Sequence, residues 1–278
     1  MYKVSQLEEL LKNNKLEEQF SNIYGNDDNT IKEAYLRLTS ALNHFKTIDN
    51  SENVHVFSAS GRTELSGNHT DHNNGCVLTA SINLDKLAVV SKRDDEKIVI
   101  YTDYSDNPNY IKINELDINK NEYGKSSALI RGVCARIKEL GYKLGGFTAS
   151  ITNKVLIGSG LSSSASFESL VGEIINSLYN EEKIEKTDIA KIGQYAENKY
   201  FGKPCGLMDQ MGCSIGGIMA IDFRDNNNPK LEKVEYDFEK VGYALMIVDA
   251  KGDHSSLTNE YAAIREEMNL VARYFSKE

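Results

Sequence analysis

Three short stretches gather residue types that could do chemistry. GRTELSGNHTDHNNG, residues 61–75, crowds an arginine, two histidines and an aspartate into a segment with almost nothing apolar to bury. VLIGSGLSSSASFESL, residues 155–170, sets two glycines and three consecutive serines directly before an apolar helical stripe. FGKPCGLMDQMGCSIGG, residues 201–217, places Asp209 among small and apolar neighbours. In the second stretch, Gly158 and Gly160 open backbone conformations closed to other residues, and free amides converge where a helix begins. Such a nest, at the positive end of a helix dipole, binds phosphate without any lysine. The serine hydroxyls would serve as ligands for phosphate oxygens or a hydrated Mg²⁺. A tight strand-to-helix turn with a serine cap is the plain alternative.

Asp209 in its apolar setting is costly unless a cation or hydrogen-bond donor meets it, and Arg62 is the expected partner. A helix-start aspartate stabilised by the dipole would look the same in sequence. His69 and His72, with Asp71 and His254, could form a metal set, but their spacing does not single out zinc. The chain has no G-x-x-x-x-G-K-[ST] loop, and a dinucleotide fingerprint would need glycine where Ser163 stands.

The elements that must hold these stretches alternate strand and helix. Residues 28–47 read as a helix and VHVFSAS (54–60) as a strand entering the polar segment. CVLTASINLDKLAVVSKR, KIVIYTD and NYIKINELD follow closely, as in an antiparallel sheet. Residues 125–140 are helical and GFTASIT is a strand. Phe167, Leu170, Val171, Ile174 and Leu178 form a helical stripe. Ile189, Ile192 and Ala196 begin another, ended by Gly202 and Pro204. Strands near 217–223, 231–237 and 243–249 precede a helix with Ile264, Met268, Val271 and Phe275 as its core face. Strands first and helices after argue for α+β rather than a doubly wound parallel sheet.

The 278 residues can bury a full core as one large domain or two ordinary ones, and 40% apolar with 26% charged residues reads as globular. A formal charge of −9 argues against nucleic acid or an anionic membrane as partner. MYKVSQLEELLKNN lacks the apolar run of a signal peptide, and no run approaches the ~20 residues that span a bilayer. Cys76, Cys134, Cys205 and Cys213 show no C-x-x-C pairing, which fits a reducing cytoplasm.

Taken together, the three stretches resemble the galactokinases, among the GHMP small-molecule kinases. GRTELSGNHTDHNNG is similar to the galactokinase signature, GSGLSSSAS to the glycine- and serine-rich ATP loop, and CGLMDQMG to the segment carrying the catalytic aspartate. A fourth stretch, HSSLTNEYAAIRE, resembles the segment that contributes a sugar-site tyrosine, here Tyr261, although plain core packing explains that tyrosine equally well. The resemblance spans roughly residues 50–278. It implies phosphorylation of the anomeric hydroxyl of galactose, with Asp209 accepting the proton and Arg62 orienting it and offsetting charge. Gly158, Ser159, Gly160, Leu161, Ser162, Ser163 and Ser164 would cradle ATP, and Ser164 and Glu197 would bind Mg²⁺. Asn68, His69, Thr70, Asp71, Gly206 and Tyr261 would face the sugar. The implied fold is a GHMP amino-terminal domain, ribosomal protein S5 domain 2-like, over 1–225, followed by the start of a ferredoxin-like domain over 226–278. A monomer binding only sugar and ATP is the favoured assembly.

The pattern also departs from that family. Galactokinases usually have asparagine at the position of Glu64, isoleucine at Ser66, glutamate at Asn68, and tyrosine or phenylalanine at His72. An amide in place of an acceptor-only carboxylate alters which hydroxyls are recognised, so another sugar such as N-acetylgalactosamine, or a sensor role, stands as the alternative. The family carries a further glycine-rich motif beyond YFSKE. The expectation is therefore exposed apolar surface after about residue 225 and weak activity, or none, from this chain alone.

Overall fold

A computed structural model describes residues 1–248 and 258–275. In chain order the elements are β1 (Tyr2–Lys3), α1 (Val4–Lys12), α2 (Glu17–Tyr24), α3 (Asp28–Ile48), β2 (Asn53–Ser66), β3 (Cys76–Arg93), β4 (Lys97–Thr102) and β5 (Asn109–Lys112). There follow α4 (Ser126–Glu139), β6 (Gly146–Asn153), α5 (Ser163–Tyr179), α6 (Lys186–Ala196), α7 (Met208–Ile215), β7 (Ile218–Asp222), β8 (Lys230–Val234) and α8 (Thr258–Tyr274). The fold is α+β, as the order of strand and helix signals implied.

β3 is the spine. One of its edges pairs with β2 along most of its length, while the other takes β7 at Cys76–Ala80 and β6 at Lys86–Arg93. The strands 76–112 are not one antiparallel run: β4 leaves β3, pairs parallel with β6, and takes β5 on its far side. The reason is burial. β6 (GFTASITN) is buried at seven of its eight positions and belongs at the centre.

Alternation along β3 separates two cores. Leu87 and Val89 face α1–α3 with Leu38, Leu42 and Phe45, whereas Ala88 and Val90 face α4–α6 with Phe147, Leu170 and Ile174. On the first side, buried Asp85 is met by Arg37, by the Ser58 hydroxyl at 2.6 Å and by the Tyr24 hydroxyl at 2.8 Å. This network ties the amino-terminal helices to the spine. α3 starts where Asp27 accepts the Thr30 amide at 2.8 Å.

The far end departs from expectation. β8 pairs with β7, so the expected boundary at 225 falls inside a hairpin and residues 230–234 continue the sheet. Residues 243–248 form no strand, and Tyr243, Met246 and Val248 are exposed; residue 249 lies outside the described residues. α8 forms, but Ile264, Met268, Val271 and Phe275 are exposed rather than a core face, because no described element covers them. The apolar surface expected after 225 is present.

Candidate active site

The turn between β6 and α5 is shaped by backbone. Gly158 and Gly160 take φ of 72° and 77°, and Ser162 is left-handed at 60°. A Cβ on Gly160 would meet nothing within 4 Å, so the turn there is open to a ligand. Leu161 pins its underside, buried with Val155 and Ile82, and the Leu161 carbonyl accepts the Arg62 amide at 3.2 Å. The Ser159 hydroxyl folds back onto the Leu156 carbonyl at 2.7 Å. No side chain caps α5 and its first turn holds no acid. Ser162, the residue placed to cap it, instead donates to Asp209 Oδ2 at 2.6 Å. The first-turn amides of α5, at Ser163, Ser164 and Ala165, therefore converge with no anionic side chain to meet them.

Asp209 opens α7. Its Oδ1 accepts from Arg62 Nε at 3.0 Å and also from Nη2. Arg62 is 3% exposed and Asp209 33%. The guanidinium's remaining arm donates to the Gly160 carbonyl, so one side chain joins the turn to the carboxylate. β2 and β3 shift register between Ser60 and Arg62, which re-aims the arginine. Gly212 lets α7 lie close, since a Cβ there would fall 2.8 Å from Thr79 Oγ1 and 3.0 Å from Arg62 Cβ. Desolvation pushes the Asp209 carboxyl upward, but the Arg62 charge and the Ser162 and Arg62 hydrogen bonds outweigh it and hold it below the usual carboxylate range.

Beside this pair, the Ser164 hydroxyl donates to Glu197 Oε1 at 2.9 Å. Glu197 begins a π-helical turn, Glu197–Phe201, that continues α6. Gln210 Nε2 bridges Glu197 Oε2 at 2.7 Å and Glu168 Oε2 at 3.1 Å, and Lys203 lies 3.6 Å from Glu197. Both acids are buried. Burial raises the Glu168 carboxyl well above its ordinary value, and the neighbouring Glu197 adds to it; burial also raises Glu197 itself. Among the described residues no three His, Cys, Asp or Glu side chains gather as a metal site, so His69, His72 and Asp71 form none. His254 lies outside the described residues. The oxygen pair of Ser164 and Glu197 does suit Mg²⁺, which takes one or two protein ligands alongside phosphate and water.

The polar segment is half strand, with 61–66 in β2 and only 67–75 forming a loop. Asn68 and His69 are exposed and left-handed. His69 donates its amide to Glu64 Oε1 at 2.9 Å, and its ring meets the same carboxylate. Thr70 turns inward to the Gly67 carbonyl at 2.9 Å. Asp71 is buried and accepts the Met208 amide at 3.0 Å, binding the loop to the start of α7. A Cβ on Gly206 would sit 1.8 Å from Asp71 Oδ2, which explains the glycine. α8 reaches the loop, with Asn73 Nδ2 2.9 Å from Met268 Sδ. Tyr261 is on that helix, but its side chain lies outside the described residues.

Sequence reasoning missed Glu168, Gln210 and Lys203. The legible signal for Glu168 was an acid inside the apolar stripe, four residues after Ser164.

Two family descriptions match the chain: "GHMP kinases N terminal domain" over residues 128–217 and "Galactokinase galactose-binding signature" over 43–92. The galactokinase of Clostridium tetani is 32% identical over 225 residues, which cover 80% of this chain and 56% of that protein. That of Mannheimia succiniciproducens is 34% identical over 224 residues, 78% of this chain and 55% of that protein. The structure of Lactococcus lactis galactokinase complexed with galactose matches with a TM-score of 0.60 and 25% identity, over 82% of this chain and 53% of that one. Methanococcus jannaschii mevalonate kinase matches with a TM-score of 0.58 and 21% identity, over 80% and 72%, a likeness of fold alone. The chain spans about half the length of the curated relatives it matches.

Proposed function

Since this chain belongs to the GHMP kinases, and within them carries the galactokinase signature, we propose that its site phosphorylates the anomeric hydroxyl of galactose at the expense of ATP. The observation that carries the reading is the chain of contacts Gly160–Arg62–Asp209–Ser162. It joins an uncapped helix start, suited to phosphate, to a carboxylate suited to a sugar hydroxyl. Phosphoryl transfer is catalysed chiefly by positioning and charge stabilisation, and these parts supply both.

In this reading the amides of 158–164 hold the nucleotide phosphates. Ser164 and Glu197 would hold Mg²⁺, whose chemistry is to neutralise charge on the transferred group. Arg62 holds Asp209 ionised and fixes its orientation. As the sugar oxygen bonds to the terminal phosphorus and the bond to ADP breaks, the hydroxyl proton passes to Asp209. The lowered pKa makes Asp209 a weak base, so it acts first as an electrostatic anchor and takes the proton late. The exposed face of Asn68 and His69, with Asp71 beneath, would meet the sugar, each of whose hydroxyls needs a partner when buried.

An ADP-release assay on the full chain with galactose, N-acetylgalactosamine and mevalonate tests the reading. Galactose is expected to be the preferred acceptor. Release with N-acetylgalactosamine alone would move the substrate, and release with none of the three by a longer form that carries the family's further glycine-rich motif would leave a sugar- and nucleotide-binding sensor.

A further inference from the structure

Lys86 is a lysine in a core-facing row. On β3 it lies opposite Ala59 of β2 and Asn153 of β6, on the same face as Ala88 and Val90, which pack beneath α4–α6. It is only 5% exposed. Its Nζ runs to the start of α5, donating to Ser163 Oγ at 3.0 Å and to Asn153 Oδ1 at 2.9 Å. Both partners are neutral. Among the described residues no acid forms an ion pair with it. The adjacent Asp85 points to the opposite face and is engaged by Arg37, Ser58 and Tyr24, while Asp103 accepts the Asn153 amide at 2.8 Å. The Phe167 ring, 6.0 Å away, offers weak compensation.

An ammonium buried among neutral groups is costly, and buried charges in proteins are paired. Burial pulls this one down to about 8, which still leaves it mostly charged at neutral pH. The described residues supply no ion-pair partner, only the longer-range attraction of Asp103 and Asp85, and the side chain reaches the helix start where uncapped amides already converge.

We propose that Lys86 is a phosphate-binding residue of the nucleotide site, whose ammonium, held by Asn153 and Ser163, pairs with the polyphosphate of ATP. The assignment rests on the kinase reading above and adds to it a cation that the glycine- and serine-rich turn does not contain. The plain alternative is that Lys86 only ties Asn153 to Ser163.

Lys86→Gln separates the two, because an amide keeps donors for both partners and removes the charge. Binding of ATP, ADP and adenosine to the full chain is measured by calorimetry in EDTA, with circular dichroism to verify the fold. A hydrogen bond to a charged group is worth about 1.5–3 kcal/mol, so ATP and ADP are expected to bind roughly 10- to 100-fold more weakly, with adenosine unchanged. ATP affinity within twofold of wild type, or equal losses for ATP and adenosine, would overturn the assignment. Wild-type protein that binds no ATP would sink the kinase reading and this one with it.

A second measurement stands if the variant does not fold. In wild-type protein the lysine ¹³Cε resonance of Lys86 is titrated with and without ligand. Its midpoint is expected to rise with ADP and stay fixed with adenosine; no response to ADP refutes the pairing.

Discussion

Arg62 and Asp209, 147 residues apart in the chain, form a hydrogen-bonded ion pair in which the arginine is buried and the aspartate remains a third exposed. The exposed member is the one a substrate can reach, and the buried member sets its charge. Removing either has unequal consequences.

Asp209→Asn should abolish turnover while sparing ATP binding. Asp209→Ala should also lose stability, because it strands a buried guanidinium. Breaking a buried pair costs roughly 3–5 kcal/mol, and the partial exposure of Asp209 places this one at or below the lower end. Steady-state kinetics, nucleotide titration and urea unfolding on the same preparations check all three; a rate equal to wild type removes Asp209 from the mechanism.

Ser164→Ala removes the hydroxyl that meets Glu197. Nucleotide affinity is expected to fall when Mg²⁺ is present and to change little in EDTA. Equal affinities in both conditions would shift the metal role to other residues.

Gly206→Ala drives a methyl group into Asp71 Oδ2. The loop must yield, and the hydrogen bond to the Met208 amide is lost at a cost of about 1 kcal/mol. The expected kinetic result is a higher KM for the sugar with the KM for ATP unchanged. A KM for the sugar equal to wild type would detach Asp71 from sugar binding.

Burial, with the neighbouring Glu197, pushes the Glu168 carboxyl well above its ordinary value. A carboxyl whose folded pKa is raised stabilises the fold below its ordinary value near 4.5 and loses that contribution as pH rises, since the unfolded chain ionises freely. Glu168→Gln should therefore raise Tm over wild type at pH 7, with the gap closing towards pH 4. Melting curves of the two proteins across that range would show a constant gap if Glu168 were ionised in the fold.

Much of this site was legible because its residues break local rules. An arginine in a polar strand end, glycines before serines and an acid among methionines each conflict with simple packing, and Arg62, the 158–164 turn and Asp209 meet as expected. Lys86 was hidden because a lysine in a strand reads as a solvent-facing residue, and only the register of β3 shows that it faces the core. Gln210 was hidden beside the more conspicuous Asp209. The apolar row of α8 has helical spacing, and the helix forms; periodicity reports which face is apolar but not whether anything covers it. The parallel pairing of β4 with β6 could not be read from adjacency, because burial of β6 on both faces overrides sequence order.

Ser162 spends its hydroxyl on Asp209 rather than on its own helix. The turn and the acid are thereby yoked: any displacement of one drags the other, so a nucleotide settling into place would tune the alignment of the carboxylate before a sugar arrives. Under the proposed function that linkage is reciprocal, so a bound nucleotide would sharpen the grip on sugar by the same factor as sugar sharpens the grip on nucleotide.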